Sequence, residues 1–424
     1  MKKKILVKAP ALSASGYGEQ SRFALRSLRN KEEIFDIYLV NIPWGKTGQI
    51  SEHEEETKWI KSLIQKTIQA QRTKPNYDIS LQITIPNEFE MIAAVNIGYT
   101  AGIETTKVSP QWIEKSNMMD KIIVPSNHSK SVFEQTVYKA QTPTGEIVDF
   151  MLKTPVEVCS FPVKQLENCS IQLDLETDFN FLSVAQWSAR KNMEATILNF
   201  LKEFQNEEDV GLLLKLNLSK NSTSDKQKTK EKLENLISKF TKEHGDTKCK
   251  IHLLHGSLTE EEMQGIYRHP KVKAFVTTTH GEGFGLPILD AACAGLPIIA
   301  PAWSSYTDFL SAPKKDKKSG KTKNKPHFVK IDYELKQVQK SAVWDGVIQA
   351  DSQWCWVKSH SVREAMREVR KNNDIHFGIA KKLKNHVLEK LTEQKQTSMF
   401  ANLVYELKEE EEKWVNEMGE MNES

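Results

Sequence analysis

The residues that decide the fold are 279–300, with the sequence THGEGFGLPILDAACAGLPIIA. The β-rich apolar run at 274–278, immediately before them, predicts a buried parallel strand. The glycines that follow let the backbone turn sharply and approach a ligand closely. Pro287 is tolerated in a first helical turn, and Gly295 is expected to end that helix. In open α/β folds the N-terminus of such a helix faces the carboxyl edge of the sheet, where phosphorylated ligands bind.

Two carboxylates lie in this stretch, Glu282 in the turn and Asp290 one turn into the helix. A carboxylate can accept hydrogen bonds from two sugar hydroxyls, and dinucleotide-binding folds use one to hold a ribose. A helix-start charge and a solvated side chain would account for the same two residues without any ligand. The glycine-flanked turn beside the acids favours a sugar-nucleotide site.

The same residues resemble the E-x7-E signature of retaining GT-B glycosyltransferases, the large family four type that includes glycogen- and mannose-transferring enzymes. Asp290 departs from the signature, because the family usually has Glu there. The resemblance implies an α/β protein of the GT-B fold, with two doubly wound Rossmann-like domains facing a cleft, and it implies that Glu282 is a catalytic residue that orients the sugar. It also implies donor contacts from His280, Gly283, Phe284, Gly285, Leu286 and Asp290.

Residues 181–192 resemble the strand and loop that begin the C-terminal domain of this family, where a basic pair holds the donor diphosphate. Arg190 and Lys191 are the candidates for that pair, because guanidinium and ammonium groups bind phosphate oxygens. The family often has Gly-Arg where this chain has Ala185-Gln186. We therefore expect Arg190 to substitute for the missing arginine.

Lys215 is a further donor-binding candidate, inside the apolar run 211–216. A lysine in a buried strand needs an anionic partner or an exit to the cleft. A lysine that reaches water from the end of a strand is the alternative.

Near the N-terminus, a short apolar strand is followed by a glycine turn and a helix expected to begin at about Glu19. The turn lacks Gly-Lys-Ser/Thr, so it is not a nucleoside triphosphate loop. It also lacks the third glycine of a dinucleotide-binding fingerprint. In the resembling family this loop lies across the cleft, which implies donor contacts from Gly16 and Gly18 and an acceptor contact from Tyr17. Glu104, in a glycine-turned loop after a later strand, is the second acceptor candidate.

With 424 residues the chain is too long for one core, and strand and helix candidates alternate in both halves. Strands are expected at 5–7, 37–40, 79–84, 95–99, 121–124, 181–185, 211–216, 251–254, 274–277 and 297–300. The resemblance implies an N-terminal acceptor domain at 1–160 and a nucleotide-sugar donor domain at 165–394, joined by a linker near 155–170. A long helix after residue 380 is expected, and its part at 395–420 should pack back on the first domain.

The composition excludes several classes of protein. The net charge of +3 is not the strongly basic balance of a dedicated nucleic-acid binder. Five scattered cysteines without a Cys-x-x-Cys pair indicate a reducing cytoplasm and no structural zinc. No apolar run approaches the roughly 20 residues of a transmembrane segment. We expect a cytoplasmic protein.

One segment departs from the rest in its composition. Residues 313–326 hold seven lysines and no apolar side chain beyond the prolines, which predicts a mobile loop. The alternative is a loop that attracts a polyanionic acceptor.

Together these observations predict a hexosyl- or pentosyltransferase that moves a sugar from a UDP- or GDP-type sugar nucleotide to an acceptor hydroxyl. Asp-x-Asp does not occur, so we expect no metal site and no cofactor. The acceptor is expected to be a glycan, a lipid, a small molecule or modified DNA. The amino-acid pattern of residues 184–192 and 280–285 is similar to that of glycosyltransferases of large tailed bacteriophages. This resemblance implies a hydroxymethylated or otherwise modified DNA base as an alternative acceptor. A GT-B sugar-nucleotide epimerase or a non-catalytic sugar-nucleotide binding protein is the alternative of another class.

Overall fold

The computed structural model describes residues 2–45, 47–50, 55–164, 170–315 and 320–406, and the statements below concern these residues. Its framework is a pair of six-stranded sheets, one in each half of the chain, with helices packed against both. In the first half the strands are β1 (Lys3–Ala9), β2 (Phe35–Asn41), β3 (Ile79–Ile83), β4 (Val95–Tyr99), β5 (Lys121–Val124), β6 (Val137–Gln141), β7 (Ile147–Met151) and β8 (Val156–Val158). The helices are α1 (Gly16–Arg29), α2 (Glu55–Gln71), α3 (Pro110–Ser116) and α4 (Asn127–Gln135).

The second half adds strands to a second sheet and to two small ribbons. These strands are β9 (Phe179–Gln186), β10 (Val210–Asn217), β11 (Lys250–Leu254), β12 (Val272–Val276), β13 (Ile298–Pro301), β14 (Ser311–Lys315), β15 (Thr322–Pro326), β16 (Val329–Ile331), β17 (Tyr333–Gln337) and β18 (Gln353–Val357). The helices are α5 (Met193–Phe204), α6 (Thr223–His244), α7 (Glu260–Tyr267), α8 (Leu286–Ala294), α9 (Ser359–Lys371), α10 (Asn373–Lys390) and α11 (Glu393–Val404).

Both sheets are parallel, and in each of them the strand order reverses once. The first sheet has the order β2-β1-β3-β4-β5-β8, and the second has β11-β10-β9-β12-β13-β16. The reversal lies between β1 and β3 in the first sheet and between β9 and β12 in the second. Doubly wound folds bind ligands outside the carboxyl ends of the strands at such a reversal. A ligand-binding site is therefore expected at the loops after β1, β3, β9 and β12.

The unit that decides the fold forms as predicted. Helix α8 begins at Leu286, with Pro287 in its first turn, and ends at Gly295 in a left-handed conformation with φ of 82°. Strand β13 follows and pairs in parallel with β12. The sequence therefore places this strand–turn–helix–strand unit correctly.

The lysine-rich segment differs from the prediction. Its described residues form β14 and β15, which pair antiparallel from Ser311 opposite Pro326 to Lys315 opposite Thr322. The composition suggested a loop because lysine is depleted in strands. Mutual backbone hydrogen bonding accounts for the strands instead, since most of these side chains stay exposed. Lys317 and Lys318 lie outside the described residues.

The C-terminal region also differs, because the single long helix expected after residue 380 is divided into α10 and α11. Thr392 stands between them, and its side chain accepts a hydrogen bond from the backbone N–H of Lys395. Such a cap satisfies a free amide at a helix start, so it favours a new helix over continuation of the old one. Residues 407–420 of the predicted helix lie outside the described residues.

Helix α11 packs on the first half of the chain. The ring of Phe400 lies 5.4 Å from that of Phe23 in α1 and 4.8 Å from that of Tyr99 at the end of β4. Phe161 also contacts both halves, with Phe23 at 5.9 Å and Phe284 at 5.0 Å. The two halves thus share one buried apolar cluster.

The domain boundaries at 160 and 165 stay a prediction, although β8 at Val156–Val158 shows that the first sheet extends into the expected linker. The cysteines at 159, 249, 293 and 355 are free and buried, and Cys169 lies outside the described residues. In the part of the chain that the structure describes, no helix combines the length and apolar character needed to cross a membrane.

Candidate active site

The reversal between β9 and β12 brings three predicted residues together. Arg190 and Lys191 follow the carboxyl end of β9, and Glu282 follows that of β12. One oxygen of the Glu282 carboxylate lies 2.7 Å from Nη1 of Arg190, and the other lies 2.6 Å from Nζ of Lys191. Glu282 is only 6% exposed, so both contacts are shielded from water.

The charges of this cluster are strongly coupled. Burial alone would raise the pKa of Glu282, but the cations of Arg190 and Lys191 outweigh it and lower that pKa to about 2. Burial lowers the pKa of Lys191, with Glu282 opposing the shift. Glu282 and Arg190 therefore stay ionised in a place from which water is largely excluded, and Lys191 lies within hydrogen-bonding distance of the same carboxylate.

Glu104 joins the same cluster from the first half of the chain. Its carboxylate lies 3.2 Å from Nε of Arg190, and Nη1 of the same guanidinium donates a hydrogen bond of 2.8 Å to the carbonyl of Gly281. The guanidinium of Arg190 thus bridges a predicted acceptor residue and the predicted catalytic residue. Whether Glu104 binds an acceptor stays a prediction.

Two serines that the sequence analysis missed hold the backbone of Glu282. Oγ of Ser304 accepts from the N–H of Glu282 at 2.8 Å and donates to its carbonyl at 2.9 Å. Oγ of Ser305 donates to the same carbonyl at 2.7 Å. Ser304 has φ of 91°, a conformation that costs free energy for a residue with a side chain. The only sequence signal for this pair was its place after β13.

The glycines of the turn let the second half approach the first very closely. A Cβ added to Gly281 would lie 2.3 Å from the carbonyl oxygen of Glu104, and one added to Gly283 would lie 2.5 Å from that of Ala101. Gly285 has φ of 97°, which glycine adopts without strain. These positions need glycine for packing and for the turn, and a donor contact from Gly283 or Gly285 stays a prediction.

His280 was predicted to contact the donor, and its side chain is instead enclosed by β18. The imidazole stacks on Trp354 with ring centroids 4.6 Å apart, lies 4.5 Å from Trp356, and makes a hydrogen bond through Nδ1 with the carbonyl of Cys355. Its backbone N–H donates to the carbonyl of Arg190 at 2.8 Å. His280 is 1% exposed, so its side chain holds the turn beside Glu282, and a donor contact from this residue stays a prediction.

Phe284 is likewise a packing residue. Its ring lies 5.0 Å from that of Phe161 and 5.2 Å from that of Phe309, and it is 5% exposed. Motif spacing could not reveal that this side chain turns into the core. A donor contact predicted for Phe284 would have to come from its backbone.

The second carboxylate, Asp290, lines a cavity of about 220 Å³ between the two halves. Leu286 and Gln264 lie on one side of this cavity, and Glu19 lies on the other. Burial, followed by the nearby Glu260 and Glu19, raises the pKa of Asp290 to about 7, and Lys164 opposes the shift. Asp290 is therefore poised between its protonated and ionised forms near neutral pH.

A larger cavity of about 1280 Å³ adjoins this one, and the two share lining residues that include Glu19 and Lys164. Lys215 lines the larger cavity, and its ammonium donates a hydrogen bond of 2.6 Å to the carbonyl of Gly256. Burial lowers the pKa of Lys215. Lys215 thus reaches the larger cavity, and a donor contact from it stays a prediction.

The first loop borders the larger cavity through Ala14. Helix α1 begins at Gly16, three residues before the predicted start, because Ser15 caps it by accepting from the N–H of Gly18. A Cβ on Gly18 would lie 1.8 Å from the carbonyl oxygen of Ser13, so Gly18 is needed for packing, whereas Gly16 has open space around it. A donor contact from either glycine stays a prediction.

Tyr17, the other acceptor candidate, is tied to the loop after β4. Its hydroxyl makes a hydrogen bond of 2.8 Å with Oγ1 of Thr100 and accepts from the N–H of Ala101 at 3.2 Å. The ring packs against Trp44 at 4.2 Å, and burial raises the pKa of the hydroxyl. Tyr17 thus fixes the loop that carries Glu104, and an acceptor contact is untested.

A bridging ribbon, formed by β17, β18 and the segment 338–352 between them, connects the second half with the first. Thr106 and Gln353 exchange two hydrogen bonds of 2.9 Å. The carbonyl of Gly346 accepts from Oγ of Ser109 at 2.8 Å, and Val347 is buried in the apolar cluster of the first half. The ribbon that encloses His280 is therefore also attached across the cleft.

Known proteins agree with this architecture at the level of fold. No protein-family model and no curated protein matches the chain. Sucrose-phosphate synthase from Thermosynechococcus elongatus matches with 11% identity and a TM-score of 0.59, over 95% of this chain and 98% of its own. HepE from Anabaena, solved with UDP and glucose, has 12% identity and a TM-score of 0.56, over 96% and 100%. A UDP-forming α,α-trehalose-phosphate synthase from Burkholderia xenovorans has 9% identity and a TM-score of 0.55, over 95% and 99%.

These likenesses extend over both halves of the chain and include both parallel sheets. The fold is therefore the GT-B fold, an α/β architecture of two Rossmann-like units, as the sequence predicts. Among the residues that the structure describes, no group of three or more His, Cys, Asp or Glu side chains is arranged to hold a metal ion.

Proposed function

We propose that the protein is a retaining, metal-independent glycosyltransferase that moves a sugar from a nucleoside diphosphate sugar to an acceptor hydroxyl. The observation that carries this proposal is the buried cluster of Arg190, Lys191 and Glu282 at a strand-order reversal. Asp290, from the same motif, lines a cavity between the two halves of the chain. The fold is shared with a sucrose-phosphate synthase and a UDP-forming trehalose-phosphate synthase, which supports a UDP-type donor.

The donor is proposed to lie along the two adjoining cavities. The ionised carboxylate of Asp290 would accept hydrogen bonds from the ribose hydroxyls, while Lys215 lies beside the nucleotide in the larger cavity. The diphosphate would then meet Arg190, Lys191 and the positive end of the α8 dipole. Charge on this part of the donor is met by protein groups, and the sequence contains no Asp-x-Asp to hold a metal instead.

The ion pairs of Glu282 suggest how donor binding prepares the reaction. Without donor, this carboxylate neutralises Arg190 and Lys191. An arriving diphosphate can take over both cations, and the released carboxylate can then accept hydrogen bonds from the hydroxyls of the donor sugar. Glu282 is thereby proposed to orient the sugar while the cations stabilise charge developing on the leaving group.

In the reaction that we propose, the bond between the sugar C1 and the β-phosphate oxygen breaks, and a bond between C1 and the acceptor oxygen forms on the same face. The proton of the acceptor hydroxyl passes to the departing phosphate, so the products are the glycoside and a nucleoside diphosphate. Glu104 and Tyr17 stand on the acceptor side of this site. A modified DNA base is kept as a second candidate acceptor, because the strand pair β14–β15 is rich in lysine.

A screen of UDP- and GDP-sugars by thermal unfolding tests the proposal first, since a ligand that binds only the folded state raises its stability. The sugar nucleotides that bind are then incubated with glycan, lipid, small-molecule and hydroxymethylated DNA acceptors. We expect release of nucleoside diphosphate and a product with the anomeric configuration of the donor, measured by NMR. Conversion of the donor sugar without nucleotide release would instead identify an epimerase, and an inverted product would exclude the retaining mechanism.

A further inference from the structure

A groove of about 790 Å³ lies apart from the two donor cavities, between α10 and the lysine ribbon, which we define as β14 and β15. Five lysines line it, against a single carboxylate, that of Glu389. The lysines are Lys314, Lys315, Lys325, Lys330 and Lys382. The groove therefore carries a strong excess of positive charge on a chain whose net charge is only +3.

The pairing of the lysine ribbon concentrates this charge further. Lys314 lies directly opposite Lys323, and Lys325 is two residues along the same face. Like charges directly opposite each other destabilise a strand pair. These three lysines make no ion pair with any residue that the structure describes, and all three are exposed. An anion across this face would reduce a repulsion that no carboxylate among the described residues compensates through an ion pair.

The other walls of the groove contain rings. Phe328 is half-buried at the end of the ribbon, and His386 faces the groove from α10, with His327 nearby. Such rings offer faces on which nucleic-acid bases stack, while lysines follow the phosphate backbone. A membrane surface would fit poorly, because these groups line a concave groove.

We propose that this groove binds a single-stranded segment of nucleic acid, with phosphates along the lysines of the ribbon and of α10, and a base against Phe328 or His386. An array of separate, exposed ammonium groups matches a chain of phosphates better than one small anion, since no enclosed cage of donors is present among the described groove residues. The proposal is independent of the glycosyltransferase assignment, because binding needs neither donor nor turnover.

Binding of a fluorescent oligothymidylate, followed by anisotropy over a range of salt concentrations, tests the proposal on the full-length protein. The groove variant is Lys314→Gln/Lys325→Gln/Lys382→Gln. We expect its affinity to be at least about tenfold lower and its salt slope to fall by roughly 2, because each contacted phosphate of a single strand contributes about 0.7. The matched control is Lys228→Gln/Lys239→Gln/Lys242→Gln on α6, which removes the same charge outside the groove and should bind like the parent.

A second variant separates nucleic acid from anionic polymers in general. Phe328→Leu should weaken oligothymidylate binding at least about fivefold through lost stacking, and should leave binding of heparin, which has no bases, unchanged. Equal affinity for heparin together with no effect of Phe328→Leu would replace nucleic acid by an anionic glycan. Absence of binding at low salt, or equal binding by the groove variant and the parent, would overturn the site itself. Thermal unfolding of each variant shows whether it is folded, and UDP-induced stabilisation checks the donor site separately.

Discussion

The two carboxylates of the stretch 282–290 have pKa values shifted in opposite directions. Glu282 is held by two cations and has a pKa of about 2, whereas Asp290, eight positions later in the sequence, has a pKa of about 7. Burial raises the pKa at both positions, so the difference comes from the neighbours. Glu282 faces the cationic loop after β9, while Asp290 faces the acids Glu19 and Glu260. Within one sequence signature, Glu282 thus stays ionised whereas Asp290 titrates near neutral pH.

The two states imply opposite effects of pH on stability. For Glu282 the folded pKa lies below the ordinary value of 4.5, so its contribution to stability is present above that pH and is lost as pH falls toward about 2. For Asp290 the folded pKa lies above the ordinary value of 3.8, so the folded state binds the extra proton and stability falls as pH rises from there toward about 7.

The largest effect is expected from removing the negative charge of Glu282. Glu282→Gln should lower kcat by about 100-fold or more, a loss typical of removing one group that acts at the reacting centre. The affinity for UDP should stay equal or increase, because the diphosphate no longer competes with Glu282 for Arg190 and Lys191. Calorimetric titration with UDP and turnover of the UDP-sugar measure the two effects. The exposed change Glu243→Gln on α6 is the control, and loss of UDP binding together with turnover would refute this division of roles.

A smaller effect is expected from replacing Asp290. Asp290→Asn should weaken UDP binding by about tenfold above neutral pH, the typical cost of losing a hydrogen bond to a charged group. In the parent, UDP affinity should rise as pH increases through about 7, because the ionised carboxylate is the better acceptor for ribose hydroxyls. Asp290→Asn should lose that pH dependence, whereas Asp246→Asn on an exposed turn should keep it. A parent affinity that is flat across this range would contradict the assignment.

A still smaller effect should follow from Glu104→Gln, which removes only the outer partner of Arg190. Both side chains of this pair are partly exposed, and Arg190 has a second carboxylate partner, so we expect a roughly two- to fivefold rise in the KM for the acceptor. The KM for the donor should not change, because Arg190 and Lys191 both remain available to the diphosphate. Steady-state kinetics with each substrate varied in turn distinguish the two. A rise confined to the donor KM would move Glu104 to the donor side.

The smallest effect is expected from chelation of metal ions, which should leave turnover unchanged. The diphosphate is proposed to be met by Arg190, Lys191 and the start of α8, and none of these groups needs a metal. Turnover is compared before and after dialysis against EDTA. Loss of activity that Mn²⁺ or Mg²⁺ restores would show that the charge of the leaving group is handled differently.

Ten of the twelve strands described in the two six-stranded sheets could be predicted because buried parallel strands are short apolar runs, and these ten occur within about two residues of their expected bounds. The short edge strands β8 and β16 were not predicted. The paired strands β14 and β15 could not be predicted, since backbone pairing rather than side-chain burial produces them. The meeting of Arg190 with Glu282 was predictable because both follow strands that end at the same edge. The contacts of Ser304 with Glu282 were not, because only the tertiary path after β13 creates them.

The enclosed positions of His280 and Phe284 show a different limit. The motif identified the turn, but it did not indicate which of its side chains face inward. For His280 that direction depends on Trp354, 74 positions later in the sequence, and for Phe284 it depends on Phe161 and Phe309. The spacing of a motif does not distinguish residues that shape the turn from residues that contact a ligand. The packing of their side chains does.

The bridging ribbon gives the cleft a kinetic property. Any motion that separates the two halves must first break the exchange between Thr106 and Gln353 and withdraw Val347 from its apolar cluster. Because the same ribbon encloses His280, its detachment also loosens the turn that presents Glu282. Separation of the two halves and loosening of the turn around Glu282 are thereby coupled, which would make the ribbon a control point for anything held between the halves.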